Sequence, residues 1–416
     1  MISAERLYQA GTSLRSIPEY YENGKIPWLK TGEIKKEYIY RTSESITEKG
    51  LKNSSAKIIP KNSVLVAMYG DGDTAGHAAI NKIDLATNQA CCNLIIDFKK
   101  ADYRFIYFFL KGSYDHLINL KLGGSQQNLN AATIRNIDIP LPEKSIQQKI
   151  AAILSAYDDL IENNNRRIAI LEKMAEEIYK DWFVRMRFPG YEKAEFEKGI
   201  PKEWKIKKIG NICFVGRGSS PRPINDKAYF ENGSIPWIKI ADATNSKMFI
   251  LDTKECVNEF GASFSRKLSA GGLIIATSGT LGFCIFLGVE GCIHDGWIYT
   301  SNYKKNIRPA FLFYVINDFR RHLNNLSYGA AIQNINTNII RNLSVFVPSE
   351  ELLDRFYISV EPIHKLILNK ILKSKTLKQT RDRLLTRLIS GKLTVADLDI
   401  RFPRSMKEES DAELHP

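Results

Sequence analysis

The chain has 416 residues, too many for one ordinary core and suited to two domains of roughly 150 residues with connecting elements. Its 44% hydrophobic and 25% charged residues exclude wholesale disorder and a fibrous architecture, and no window approaches the ~18 continuous apolar residues of a membrane span. A formal charge of +13, from 59 basic against 46 acidic residues, favours a polyanionic partner, because clustered Lys and Arg gain by displacing phosphate counterions. Six cysteines, at 91, 92, 213, 256, 284 and 292, form no CxxC pair and read as buried reduced thiols. The N-terminus has no basic segment followed by an apolar run, so a cytoplasmic soluble protein is expected.

Taken in order, the chain carries two copies of a large repeat. Residues 20–30, YYENGKIPWLK, return at 229–239 as YFENGSIPWIK, with 8 of 11 positions identical. The strand-like VLVAMYG ending at Gly70 returns as LIIATSG ending at Gly279, at the same spacing of 209. Further on the spacing becomes 206. FIYFFLKGSYDHLINLKLGG from Phe105 answers FLFYVINDFRRHLNNLSYGA from Phe311, and QNLNAATIRN from Gln127 answers QNINTNIIRN from Gln333. A period this long marks a whole-domain duplication rather than a solenoid. Within each copy, short β-branched runs broken by Asn-Gly and Gly-Gly turns surround one aromatic helical segment, around 103–120 and 309–326, which predicts an α+β domain.

Each copy closes on a proline, Pro142 or Pro348, and passes into helical periodicity. Ile150, Tyr157, Asn164, Leu171 and Ile178 fall seven apart on one stripe; Phe356, Ile363, Lys370, Leu377 and Leu384 repeat its register 206 residues on. Pro362 should kink the second helix or delay its start, and Gly391 is placed to cap its end. Residues 363–390 carry eight Lys or Arg and one Asp, whereas 146–180 carry five basic and six acidic residues. Two complementary single-stripe helices are expected to pack as an antiparallel coiled coil, the alternative being that each docks on its own domain. At about 1.5 Å per residue each spans on the order of 50 Å. Domains at opposite ends of such a pair are related by an approximate two-fold axis, matching duplex DNA and implying a split target with an unread gap.

The combination of an IPW-containing domain ending in Gln-Asn-x-Asn and a proline, the helix QQKIAAILSAYDDLIENN running to DWFV, and LKQTRDRLLTRLISGKLTV resembles the specificity subunit of type I restriction-modification systems, over nearly the whole chain. The resemblance implies two tandem target-recognition domains, each followed by a long helix, the helices forming an antiparallel coiled-coil spacer. The expected boundaries are 1–143 and 189–348 for the domains, 144–188 and 349–392 for the helices, and 393–416 for a tail. It also implies a noncatalytic, DNA-binding chain that docks two modification subunits and restriction subunits. Those partners carry S-adenosylmethionine, ATP and Mg, and this chain binds no cofactor. One departure concerns the opening of the first copy. Trp204 to Ile209 lie about 14 residues ahead of Gly218, but only ten residues precede Gly11. An opening Trp-containing strand is thus expected to be missing from the first domain, through a misassigned start or a truncated gene.

Among site residues, Lys30 and Lys239, just beyond the Pro-Trp pairs, are candidate phosphate contacts, or else surface lysines at strand ends. Trp28 and Trp237 lie in apolar strand-like stretches and read as core anchors. Gln126, Gln127, Asn128 and Asn130, like Gln333, Asn334 and Asn336, follow Gly-containing turns. Such side chains can pair with adenine, yet their identity in the two copies suits backbone contact, turn geometry or helix capping better, because two half-sites normally differ. Base reading is expected where the copies diverge: residues 34–57 against 243–266, and Tyr69–Gly76 against Ser278–Gly282. Catalytic signals are absent. Gly70, Gly72 and Gly76 are followed by no GK[ST], the chain has no Pro-Pro for a methyltransferase motif, the six His form no HxxxH or HxH, and Asp71 with Asp73 has no counterpart in the second copy. No catalytic or metal-binding residue is therefore assigned. A stand-alone nuclease with an unrecognised site, or a helical scaffold that does not touch DNA, are the competing readings.

Overall fold

The computed structural model describes residues 4–9, 15–35, 37–70, 74–122, 129–244, 246–277, 282–326, 335–403 and 405–406. The chain divides into two compact units, residues 1–163 with 374–416, and residues 164–373.

In the first unit the strands are β1 (Ala4–Gln9), β2 (Ile26–Leu29), β3 (Tyr38–Ile39), β4 (Glu44–Ile46), β5 (Val64–Ala67), β6 (Ala78–Asn81), β7 (Ala86–Thr87) and β8 (Cys91–Ile96). The short helix α1 (Glu48–Lys52) follows β4, and α2 (Tyr103–Gly112), α3 (Tyr114–Leu122) and α4 (Ala131–Arg135) follow β8. The strands form a five-stranded sheet, β1-β8-β5-β6-β3, and a three-stranded one, β4-β2-β7. Helix α5 (Lys144–Tyr179) begins here, passes into the second unit and ends in a π-turn at Lys180–Val184.

The second unit contains β9 (Phe196–Glu197), β10 (Ile200–Pro201), β11 (Lys205–Lys208), α6 (Ile209–Ile212), β12 (Phe214–Arg217), β13 (Ile235–Ile238), α7 (Ile240–Ala243), β14 (Phe249–Ile250), β15 (Glu255–Val257), α8 (Glu259–Ser263), β16 (Arg266–Leu268) and β17 (Leu273–Ala276). It continues with β18 (Cys284–Leu287), β19 (Gly291–Ile293), β20 (Trp297–Ser301), α9 (Pro309–Leu326), α10 (Thr337–Asn342), β21 (Ser344–Val347) and α11 (Glu350–Ile389). Its five-stranded sheet, β12-β20-β17-β18-β14, repeats the order of the first unit, and β15-β13-β19-β16 repeats the smaller sheet with one strand added. The duplication read from sequence is therefore a duplication of topology. It extends to single turns: Asn23 and Asn232 both take the left-handed conformation, at φ 58° and 54°. The glycine after each is forced, since a Cβ on Gly24 or Gly233 would lie 2.6 Å from the Ile46 carbonyl carbon or 2.5 Å from the Cys256 oxygen.

Burial follows the same plan. Trp28 and Trp237 are each 1% exposed, anchoring the smaller sheets against Ile46 and Val257, as expected of core residues. The larger sheets pack on α2 and α9 through Phe105, Phe108 and Phe311. Five of the six cysteines are buried, all are free, and burial pushes the Cys92 and Cys213 thiols up to about 12, so neither supplies a thiolate at neutral pH.

Within each unit the two long helices meet in opposite senses. In the first, Ile150 and Leu154 of α5 share a core with Leu385 and Leu388 of α11, and Asp158 pairs with Arg381. In the second, Lys370 Nζ donates to Asn164 Oδ1 at 3.3 Å, Ile168 shares a core with Ile367, and the Tyr179 and Phe356 rings lie 6.4 Å apart. Residue numbers rise along α5 as they fall along α11, the antiparallel coiled-coil pairing that the complementary stripes imply. Each helix also packs on the sheet-bearing part of its unit, so the two alternatives weighed from sequence coexist.

Two details differ from expectation, and a third concerns the opening of the first unit. Helix α11 runs unbroken through Pro362 from Glu350, so its start is not delayed. The carbonyl that loses its donor belongs to Ile358, which like Pro362 faces solvent, where water can replace the missing bond. The aromatic segment of the first copy is two helices, α2 and α3, divided at Ser113, whereas the second copy keeps a single α9. Finally, the strand that follows Trp204 is β11, which pairs with β21; no described strand of the first unit matches this pair. Among the described residues, no helix is long and apolar enough to cross a membrane.

Candidate nucleic-acid interface

Lys30 follows β2 and caps a 3-10 turn at Thr31–Glu33; its backbone N–H donates to Glu33 Oε1 at 3.4 Å, and its ammonium donates to Glu44 Oε1 at 2.6 Å. Lys239 stands at the same point of the second unit. Its N–H donates to Asp242 Oδ2 at 2.9 Å, its ammonium pairs with Glu255, and it lies 5.2 Å from the centre of the Trp237 ring. The hydrogen bond from Lys30 holds the Glu44 carboxyl below the usual carboxylate range, against a smaller opposing effect of burial. Each lysine is thus partly neutralised by a glutamate on the neighbouring strand, β4 or β15. A phosphate contact from either requires the ammonium to be shared with that carboxylate or released by it. Sequence reading missed these glutamates, because at the repeat spacing of 209 Glu44 aligns with Thr253, two residues short of Glu255.

In each unit, segments far apart in sequence converge. In the first unit a Cβ on Gly70 would lie 3.3 Å from Thr31 Oγ1, which brings the end of β5 to the end of β2. The Leu129 N–H donates to the Met68 carbonyl at 3.2 Å, which sets the residue before Asn130 beside half-buried Tyr69. In the second unit the Ile335 N–H donates to the Thr277 carbonyl at 2.9 Å, again joining the end of the central strand to the segment before the short helix. The structure therefore brings Lys30, Tyr69 and Asn130 into one region of the first unit.

Asn130 and Asn336 are helix N-caps. Asn130 Oδ1 accepts from the Thr133 N–H at 2.8 Å, and Asn336 Oδ1 accepts from the Asn338 and Ile339 N–H groups, both at 3.0 Å. Identity between the copies has that structural cause, one of those weighed from sequence. Gln126, Gln127, Asn128, Ser278, Gln333 and Asn334 lie outside the described residues.

A second charged cluster, invisible in the sequence, joins the segment ahead of β3 to the first unit's helices. Arg381 of α11 pairs with Asp158 of α5 and, at 3.2 Å, with Glu37 just ahead of β3; Lys111 of α2 approaches Glu37 at 3.5 Å. Burial would raise the Glu37 carboxyl, but Lys111, Arg381 and Lys378 together outweigh it and hold it at about 2. At the matching position, 206 residues beyond Asp158, the second unit carries His364. There His364 Nε2 and Tyr314 Oη are 2.7 Å apart, and burial lowers the imidazole to about 4. No group of three or more His, Cys, Asp and Glu side chains that could hold a metal ion occurs among the described residues.

The paired sheets, the repeated convergence at their ends and the shared helices define a tandem two-unit α+β protein with one candidate recognition surface per unit. The model of the type I restriction modification DNA specificity domain matches this chain twice, over residues 7–173 and 201–371, and the chain belongs to that family. It is 30% identical over 407 residues to the type I restriction enzyme MjaIX specificity subunit of Methanocaldococcus jannaschii, with 93% of this chain and 91% of that one covered. The HindI specificity subunit of Haemophilus influenzae is 21% identical over 473 residues, covering 93% and 99%. The fold is shared with the crystal structure of a type I restriction-modification S subunit from M. genitalium, with a TM-score of 0.55 and 17% identity over 92% of this chain and 93% of that one.

Proposed function

We propose that this chain is the sequence-specific DNA-binding specificity subunit of a type I restriction-modification complex, a noncatalytic protein that reads a bipartite target with one domain per half-site. The observation that carries the reading is the duplication itself: the same sheet order and the same convergence of segments occur twice, with different residues in the loops. Two homologous readers of unlike sequence suit a split, asymmetric site. The recognition domains are residues 1–143 and 189–348, the helices 144–188 and 349–392, and the tail 393–416. Lys30, Tyr69, Asn130, Lys239 and Asn336, with Gln126, Gln127, Asn128, Ser278, Gln333 and Asn334, are the DNA-contacting set, the asparagine caps serving mainly to present backbone.

The partners are double-stranded DNA, two modification subunits and restriction subunits, in the cytoplasm. Exposed apolar side chains support docking on the helices: Ile170 and Met174, four apart on α5, and Ile358 and Leu366 on α11. S-adenosylmethionine, ATP and Mg belong to those partners. The test is reconstitution. Mixed with cognate modification subunits, the chain should direct adenine methylation to one split motif, read by single-molecule sequencing; methylation unchanged by its omission would sink the reading.

A further inference from the structure

The duplicated frame is kept closely at one hairpin whose side chains differ between the units. In the first unit the Gly76 N–H donates to the Ala67 carbonyl at 2.8 Å and the Ala67 N–H to the His77 carbonyl at 2.9 Å. In the second the Gly282 N–H donates to Ala276 at 3.0 Å and the Ala276 N–H to Phe283 at 2.8 Å. Both glycines are left-handed, at φ 83° and 68°, and both introduce the next strand, β6 or β18. The backbone that places residues 77 and 283 is therefore the same.

Across from them stand Tyr114 and Arg320, again 206 residues apart. The His77 and Tyr114 rings are 4.8 Å apart, whereas the Arg320 guanidinium lies 5.7 Å from the centre of the Phe283 ring. All four side chains are half-buried and border a cleft, of about 210 Å³ in the first unit and about 490 Å³ in the second. The roles are exchanged: the strand supplies the polar member in one unit, the helix in the other. Phe105 and Phe311 in the adjoining cores are identical, whereas Tyr107 and Phe108 are matched by Phe313 and Tyr314 at the same spacing, so the exchange extends to the aromatic hydroxyls, Tyr107 and Tyr314, that border the same two clefts. The same position with exchanged chemistry is what two readers of different half-sites require.

We propose that these pairs are specificity determinants, an aromatic face bracing one polar reader in each unit: His77 on Tyr114, and Arg320 on Phe283. Arg320 takes a guanine of the second half-site, whose O6 and N7 accept its two parallel N–H donors. His77 makes a single hydrogen bond to a purine N7 of the first. This rests on the DNA-reading function proposed above, and names residues for it.

The test uses the full-length subunit assembled with its modification subunits, methylating a DNA library randomised at both half-sites. Arg320→Lys keeps the charge and loses the planar fork. It should cut discrimination for guanine at one position of the second half-site about tenfold or more, leaving the first half-site unchanged. His77→Phe should relax one position of the first half-site only. An unchanged motif in both variants, or methylation uniformly weakened with the motif intact, overturns the assignment, the latter marking a phosphate or packing role. Failure of the wild-type complex to methylate any split motif overturns both this inference and the function on which it rests. If Arg320→Ala impairs assembly, Arg320→Lys still decides, because complex yield and melting temperature are read beside the motif.

Discussion

Replacing Arg381 by methionine removes the cation that faces Asp158 and Glu37 inside the first unit. The Arg381 and Asp158 side chains are 4% and 1% exposed, so water cannot take over the lost partner. Asp158 Oδ2 already has no hydrogen-bond partner among the described residues, and the variant would orphan Oδ1 as well. Stranding one member of such a pair costs about 3–5 kcal/mol. At about 2–4 °C per kcal/mol for a unit of this size, that is a fall in Tm of roughly 6–20 °C. The double variant Asp158→Leu with Arg381→Met removes both charges and should recover most of the loss, since apolar replacement of a whole buried pair is often neutral or stabilising by about 1–4 kcal/mol. Thermal and denaturant melts of the wild type, both singles and the double close the cycle. A loss below about 1 kcal/mol for Arg381→Met, or a double variant as unstable as the single, would refute a buried, mutually dependent pair.

The second unit should respond to acid through His364. Its folded value of about 4 lies below the ordinary 6.5, so the unfolded chain takes up the proton first. Stability from this group is complete above about pH 6.5 and is lost as pH falls towards 4, by about 3 kcal/mol in all; pH-dependent melts of His364→Phe should lack that slope. Asn336→Ala should cost about 1 kcal/mol by removing the α10 cap, whereas Asn336→Asp keeps the acceptor and should be nearly neutral; a larger drop in DNA affinity than in stability would instead reveal direct contact. Trp237→Ala should destabilise by about 3–5 kcal/mol as a cavity mutation, read by the same melts. Binding by the assembled complex should weaken steeply with salt if about six to ten phosphates are neutralised, and a flat log–log plot would count against the basic surface.

What the sequence made legible was whatever both copies retain for the same backbone reason. Asn23–Gly24 and Asn232–Gly233 persist because the turn demands a left-handed residue and then no Cβ, and the two tryptophans persist because each fills one sheet's core. The helical stripes were readable because antiparallel packing buries or half-buries them. Illegible were features made by residues distant in sequence and unlike in the two copies. Asp158 and Arg381 sit on different helices, and nothing in either local pattern distinguishes them from solvated charges. Glu44 and Glu255 are ordinary strand carboxylates until the fold places them against Lys30 and Lys239. Pro362 misled because a helix rule ignores which carbonyl is lost, and here that carbonyl lies on the solvent face.

The central claim is that each unit reads its own half of a split site. Exchanging residues 189–348 for the corresponding domain of a relative with a different target, then sequencing the adenines methylated by the assembled complex, tests it directly. The expected product is a hybrid motif in which one half-site changes and the other half-site and the gap are retained. A motif altered in both halves, or in neither, would contradict it.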